Sequence, residues 1–210
     1  ALRQMQALED QLDRAREQVH DEVLEMVEHA LVTQLGLAFP EKGEPDEEAL
    51  ASLALALDQQ FGTPFDPRKE PFVVDGKPAR DRDVLGHATL ETLTAHLGEK
   101  ERHWDEVAEK YRSLGYPLFR ELEKGLLLDT LDRQWKDHLH SMDGLREGIN
   151  LRGYAQKDPK IEYQREGFAL FDEMMDRIDQ NAVERIFKVQ IREPQAAPDA
   201  PAAPAAQLQA

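Results

Sequence analysis

The spacing of apolar residues in the second half of the chain constrains the fold most strongly. Between residues 118 and 149 they recur every three or four positions, the period of one face of an α-helix about thirty residues and roughly 45 Å long. A second stripe of the same period covers residues 161–189. The connection 150–159 contains Gly153 and Pro159, and a residue before proline avoids the helical region. Two long helices joined so closely form an antiparallel hairpin.

The hairpin is predicted to pack on a third element. Leu127, Leu170 and Met174 fall outside both stripes, so apolar residues lie on a further face. The natural partner is the first helix, whose stripe begins at Leu2 and continues for about eight turns to Ala30. Because no Ser, Thr, Asp or Asn precedes that stripe as a cap, we expect the chain to be a piece of a longer protein.

Shorter elements are predicted between the first helix and the hairpin. The first helix ends near Gly36, and Asp46 is placed to cap a second helix that reaches about residue 60. Residues 62–78 hold four prolines and two glycines, which predicts a loop with at most a short strand. Helical spacing returns over residues 80–114, with an interruption expected at Gly98. The predicted class is all-α.

Charge and composition exclude several classes of function. With 26 basic and 42 acidic residues the formal charge is −16, which argues against nucleic acid as a partner because phosphate binding needs a basic face. The sequence has no cysteine, and therefore no disulfide, thiolate zinc site or cysteine nucleophile. Without an apolar run of about 18 residues or a visible signal peptide, we expect a cytosolic protein.

No sequence motif for catalysis is found. A phosphate-binding loop needs glycines followed by Lys-Ser/Thr, and the single Gly-Lys pair, Gly76-Lys77, is followed by Pro78. His138 and His140 lie about 200° apart on a helix, so we expect solvated surface histidines rather than a shared metal site.

The connection of the hairpin is a basic island in an acidic chain. Five basic and three acidic residues lie between Arg146 and Arg165. At its centre stands Tyr154, flanked by Leu151 and Ala155. The pattern alone favours a tyrosine folded back onto the helices over a projecting tip that contacts a partner through its ring.

A specific set of residues in this region sits at the spacing of one known family: Trp135, His138-Leu139, Met142-Asp143, Leu145-Arg146, Gly148-Ile149, Leu151 to Pro159, Glu162-Tyr163 and Arg165-Glu166. Residues 120–192 closely resemble the C-terminal region of the SecA family, the bacterial preprotein translocase motors. Residues 1–117 resemble it only in order and size.

The resemblance implies an all-α molecule in four parts. These are the end of a long scaffold helix (1–31), a small helical wing (32–117), the two-helix hairpin or finger of the scaffold (118–190) and an Ala/Pro-rich tail (191–210). The composition of the tail predicts disorder.

The resemblance also implies a role for the hairpin in moving polypeptides. In the family the finger reaches into the cytoplasmic mouth of the SecY channel, and the residue matching Tyr154 contacts the moving chain. The residues implied beside it in polypeptide or channel contact are Leu151, Arg152, Gln156 and Lys157. The residues implied in regulatory contact with the rest of the motor are Trp135, His138, Met142 and Arg146.

The implied partners are a secretory preprotein, the SecYEG channel and the remaining motor domains, at the inner face of the plasma membrane. The nucleotide-binding domains are not in this sequence, so ATP and Mg²⁺ belong to the parent protein, and this part is expected to be non-catalytic and without a cofactor. The zinc-binding Cys/His cluster of many family members is missing, so no zinc is expected.

Two other interpretations remain open at the level of sequence. One is a stand-alone helical adaptor that binds a partner helix in an apolar groove. The other, ranked last, is a hydrolase that uses His138, His140 and nearby carboxylates.

Overall fold

Helices form most of the chain, which is described by a computed structural model over residues 2–39, 44–66, 68–74, 76–152 and 158–191. The elements of these residues are, in chain order, α1 (Leu2–Ala38), α2 (Glu47–Phe61), β1 (Val73–Val74), β2 (Lys77–Pro78), α3 (Arg82–Lys110), a 3₁₀ helix (Arg112–Leu114), α4 (Phe119–Arg152) and α5 (Pro159–Lys188). The predicted all-α class is confirmed.

Short-range caps start and stop the helices, and the cap predicted at Asp46 is confirmed. Asp46 Oδ1 accepts a hydrogen bond from the Ala49 backbone N–H at 2.7 Å, and Gly62 ends α2 with a φ of 60°. Asp158 caps α5, and Pro159 stands in its first turn, where a missing N–H and a fixed φ favour the helix. The two strands pair in antiparallel fashion inside the predicted loop.

Two helices continue through positions where the sequence analysis places an interruption or a domain boundary. α3 passes through Gly98 unbroken, so the expected interruption is wrong. One glycine lowers helix stability by only about 1 kcal/mol, and the buried Leu93 and Leu97 nearby hold the helix on the core. α1 extends to Ala38, close to the end predicted near Gly36, and the expected boundary between scaffold helix and wing at residue 31 lies within this continuous helix.

The hydrophobic core lies where α1, α2 and α3 meet one end of the hairpin. Fully burying a large apolar side chain contributes about 1.5–3 kcal/mol, so this region dominates the stability of the fold. Its largest fully buried apolar members are Leu31, Leu53, Leu57, Phe61, Phe72, Leu85, Leu93, Leu97, Phe119 and Ile186.

α4 and α5 form the predicted antiparallel hairpin. Far from the core, a Cβ built on Gly167 of α5 would lie 3.1 Å from Met142 Cε of α4. Near the core, Arg185 Nη1 donates to Thr130 Oγ1 at 2.7 Å. We call the end at the core the base of the hairpin, and the end at the 153–157 connection its tip.

α1 packs on the base half of the hairpin. The His20 Nδ1 atom lies 3.1 Å from both carboxylate oxygens of Glu123 on α4. The His29 Nδ1 atom lies 2.7 Å from Asp179 Oδ2 on α5. The prediction that the first helix is the third element of the hairpin is therefore confirmed.

Candidate functional site: the exposed face of the hairpin

The tip of the hairpin falls largely outside the described residues. Tyr154, Gln156 and Lys157 belong to the undescribed segment. Leu151 and Arg152 form the last two positions of α4, but their side chains are not described. The predicted contact of these five residues with a polypeptide or channel stays a prediction.

An exposed apolar surface runs along the described part of the hairpin. Its members recur at helical spacing on α4 and α5, and their exposure ranges from 42% at Phe171 to 71% at Phe168. We call this surface the hairpin face. Its members are Leu131, Trp135 and Leu139 on α4, and Phe168, Phe171 and Met175 on α5.

A single buried ring joins the two halves of the hairpin face. The His138 ring lies 5.6 Å from the Trp135 ring, centroid to centroid. It also lies 5.9 Å from Phe171, which meets it edge-on. Trp135 and Phe171 therefore flank one side chain across the groove between the helices, and the exposed residues of α4 and α5 form one surface there.

His138 is buried, contrary to the expectation of a solvated histidine. Its exposure is 6%, because Phe171 of α5 covers the side of α4 on which it lies. Among the described residues no group forms a hydrogen bond with its Nδ1 atom. His140 is exposed as expected, so the two histidines face different surroundings.

The remaining predicted contact residues differ in accessibility. Met142 is half-buried and packs toward α5 against Gly167. Arg146 is exposed and pairs with Asp143 at 3.1 Å. Of the four residues predicted to contact the rest of the motor, Trp135 and Arg146 are therefore open to a partner, whereas His138 and Met142 support the interior of the hairpin.

The sequence pattern did not separate the exposed apolar residues from the buried ones. Phe168 and Phe171 belong to the same predicted stripe as Ile178 and Ile186, which are buried against the core. Met174, which falls outside that stripe, is 2% exposed. The apolar residues of α5 cover a wider part of its circumference than one stripe. This width was a signal in the sequence, because a helix that packs on one partner needs only one narrow apolar stripe.

Charged contacts fix the base of the hairpin beneath this face. Arg185 of α5 contacts Asp129 of α4 at 2.7 Å, and its hydrogen bond holds the pKa of the Asp129 carboxyl below the ordinary value. The base is thereby tied together, and the hairpin face begins just above it on the way to the tip.

Two classes of site are not found in the described part of the chain. Its histidine, aspartate and glutamate residues form no group of three or more that would hold a metal ion. In the same residues, no helix combines the length and the hydropathy that a membrane span requires.

Comparison with known proteins identifies the family of this fold. The family model described as the SecA wing and scaffold domain matches residues 6–190. The protein translocase subunit SecA of Syntrophotalea carbinolica is 38% identical over 171 residues, which cover 81% of this chain and 17% of the relative. The SecA subunit of Aquifex aeolicus is 35% identical over 177 residues, covering 84% of this chain and 16% of the relative.

A third relative shows the same pattern of coverage. The protein translocase subunit SecA 1 of Magnetococcus marinus is 39% identical over 180 residues, covering 83% of this chain and 18% of the relative. The chain thus spans less than a fifth of the length of the curated relatives that it matches.

Proposed function

The chain belongs to the family of SecA wing and scaffold domains, and on this premise we propose that it is the non-catalytic C-terminal part of a protein translocation motor. In this proposal it couples ATP-driven movement to a secretory preprotein and to the SecYEG channel. ATP and Mg²⁺ act in motor domains outside this chain. In the proposal the motor acts at the cytoplasmic face of the plasma membrane, to which it is peripherally attached.

The observation that carries the proposal is the hairpin face. Six large apolar side chains are exposed along two helices that extend beyond the core. Contiguous apolar surface of this kind marks an interaction site, because leaving it in water costs free energy. Trp135, 45% exposed, has the size and shape of an interface anchor. We assign this face to contact with the remaining motor domains.

The tip is assigned to the polypeptide and the channel. In the sequence, Tyr154 stands at the centre of a basic island that follows directly on the end of the long α4. An aromatic ring packs against many kinds of side chain without requiring one geometry, which suits a motor that moves varied sequences. Leu151, Arg152, Gln156 and Lys157 surround it in sequence and are assigned to the same contact.

Site-specific photocrosslinking tests this assignment. A photoreactive residue replaces Tyr154 in a motor that contains this chain, assembled with the channel and a stalled preprotein. We expect an adduct with the preprotein. The matched control places the same residue at Lys124, which is exposed near the base of α4, and should give none. The absence of an adduct from position 154 would reject the proposed role of the tip.

A further inference from the structure

One face of α3 contacts both helix ends at the base of the hairpin. The residues that make these contacts are Lys100, Glu101, Trp104 and Asp105. Their spacing of three and four residues places them on one side of a helix. We call these four residues the α3 socket.

The α3 socket holds the first turn of α4. Asp105 Oδ1 accepts a hydrogen bond from the backbone N–H of Phe119 at 2.7 Å, so this helix receives a cap from another helix. The Trp104 Nε1–H donates to the Pro117 carbonyl at 3.0 Å. Arg120 donates to both carboxylate oxygens of Glu101, at 2.5 and 3.3 Å. The start of α4 is thus fixed in position and direction.

The same socket holds the last turn of α5. Lys100 Nζ donates to the Ile186 carbonyl at 2.9 Å and also to the Phe187 carbonyl. These carbonyls lie in the last turn, where a helix lacks its own donors and gathers negative partial charge. The Phe187 ring packs edge-on against Phe61 of α2 at 5.1 Å, which anchors the same turn.

The charges of the socket match the antiparallel hairpin. At the base the hairpin presents the positive N-terminal end of α4 beside the negative C-terminal end of α5. The Asp105 carboxylate lies at the N-terminal end of α4, and the Lys100 ammonium lies at the C-terminal end of α5. Partial burial disfavours both charged forms, so it raises the pKa of Asp105 and lowers the pKa of Lys100.

We propose that Lys100 and Asp105 are positioning residues that set the angle of the hairpin against α2 and α3, so that a movement of the wing is transmitted to the tip. The transmission to transport rests on the proposed function. α4 has 34 residues and is about 51 Å long, so a rotation of about 10° at its base moves its far end by about 9 Å. Small changes at the socket therefore become large displacements at the tip.

Pulsed electron paramagnetic resonance on the whole chain tests the proposal. The sequence contains no cysteine, so Ser52→Cys on α2 and Ser141→Cys on α4 introduce the only two labelling sites. Both serines are exposed. The measured quantity is the distribution of distances between the two spin labels.

Lys100→Met and Asp105→Ala should each broaden this distribution. Loosening the hairpin by about 5° displaces Ser141, roughly 33 Å along α4, by about 3 Å. Asp105→Asn keeps an acceptor oxygen, so its distance distribution should stay narrow. If Asp105→Ala acted only through a general loss of packing, Asp105→Asn would not be expected to differ from it. Glu106→Ala and Lys124→Met change exposed residues outside the socket and serve as matched controls.

The outcomes separate this inference from the proposed function. Unchanged distributions in both socket variants, with helix content intact by circular dichroism, would overturn the positioning role. Because no channel or preprotein is present, a broadened distribution supports the socket even if photocrosslinking at Tyr154 fails. A Tyr154 adduct together with unchanged distances between the spin labels would support the transport role and reject the positioning role of the socket.

Discussion

Backbone conformation distinguishes two glycines that look alike in the sequence. Gly62 ends α2 in the left-handed region, with a φ of 60°, and a Cβ there would lie 3.1 Å from Lys188 Cγ. Gly98 lies inside α3, where a Cβ would meet no described atom within 4 Å. The first position requires glycine, whereas the second tolerates it.

Alanine substitution should therefore act in opposite directions at these positions. Gly62→Ala should lower the free energy of unfolding by about 1–2 kcal/mol, the cost of a left-handed non-glycine residue. Gly98→Ala should raise it by about 0.5–1 kcal/mol, because glycine is a poor helix former. Urea unfolding of both variants measures the difference. Equal stability of Gly62→Ala and the unaltered chain would show that the left-handed cap is not needed.

Lys100 makes stability depend on pH in the alkaline range. Burial lowers the pKa of its ammonium from 10.5 to about 8. Between these values the folded chain binds fewer protons than the unfolded chain, so the free energy of unfolding attributable to Lys100 should rise with pH. The measurement is the difference in unfolding free energy between the unaltered chain and Lys100→Met, at pH 8 and pH 10.5. A difference that stays constant would mean that Lys100 keeps its ordinary pKa.

At the scale of whole elements, α1 is fastened to the hairpin by two unequal histidine–carboxylate contacts. The Glu123 side chain is fully buried beside His20, which is 14% exposed. His29 is half exposed where it meets Asp179. Contacts screened by water contribute little, whereas a buried carboxylate that loses its partner is costly.

His20→Ala should consequently destabilise the chain far more than His29→Ala. The expected loss is about 3–5 kcal/mol for His20→Ala and about 0–1 kcal/mol for His29→Ala. Replacing His20 and Glu123 together with leucine should recover much of the loss, because no buried charge is left. Thermal unfolding measures all three variants. A loss for His20→Ala no larger than that for His29→Ala would contradict the importance of burial at this contact.

At the scale of the whole molecule, the two ends of the hairpin differ in support. The base is enclosed by α1, α2 and α3, and Val183 and Ile186 there are fully buried. Toward the tip each helix rests mainly on the other, and Ile161 and Phe168 are 61% and 71% exposed. Local stability should decline from base to tip, since opening the outer part exposes less apolar surface.

Hydrogen exchange should show this gradient. Backbone amides of residues 135–149 and 160–171 should exchange faster than those of residues 122–131 and 176–186. If the hairpin face binds the remaining motor domains, adding them should slow exchange in the outer segments more than at the base. Mass spectrometry of peptides resolves both effects. Uniform protection along the hairpin would show that the outer half needs no partner.

The sequence by itself determined the elements of this protein. Apolar periods of three and four located the long helices, and Asp46 marked the start of α2, because capping depends on neighbouring residues. The motif from Trp135 to Glu166 indicated the family. The interruption predicted at Gly98 failed because tertiary packing outweighs a propensity of about 1 kcal/mol.

Only the tertiary structure decided which apolar residues form the core and which remain open. Phe171 and Ile178 share one stripe, yet one is exposed and the other buried. His138 is enclosed by a helix more than thirty residues away, and the α3 socket unites Lys100 with carbonyls 86 and 87 residues further along the chain. Burial and long-range capping depend on which elements meet, and a helical period specifies the face of a helix without specifying its neighbour.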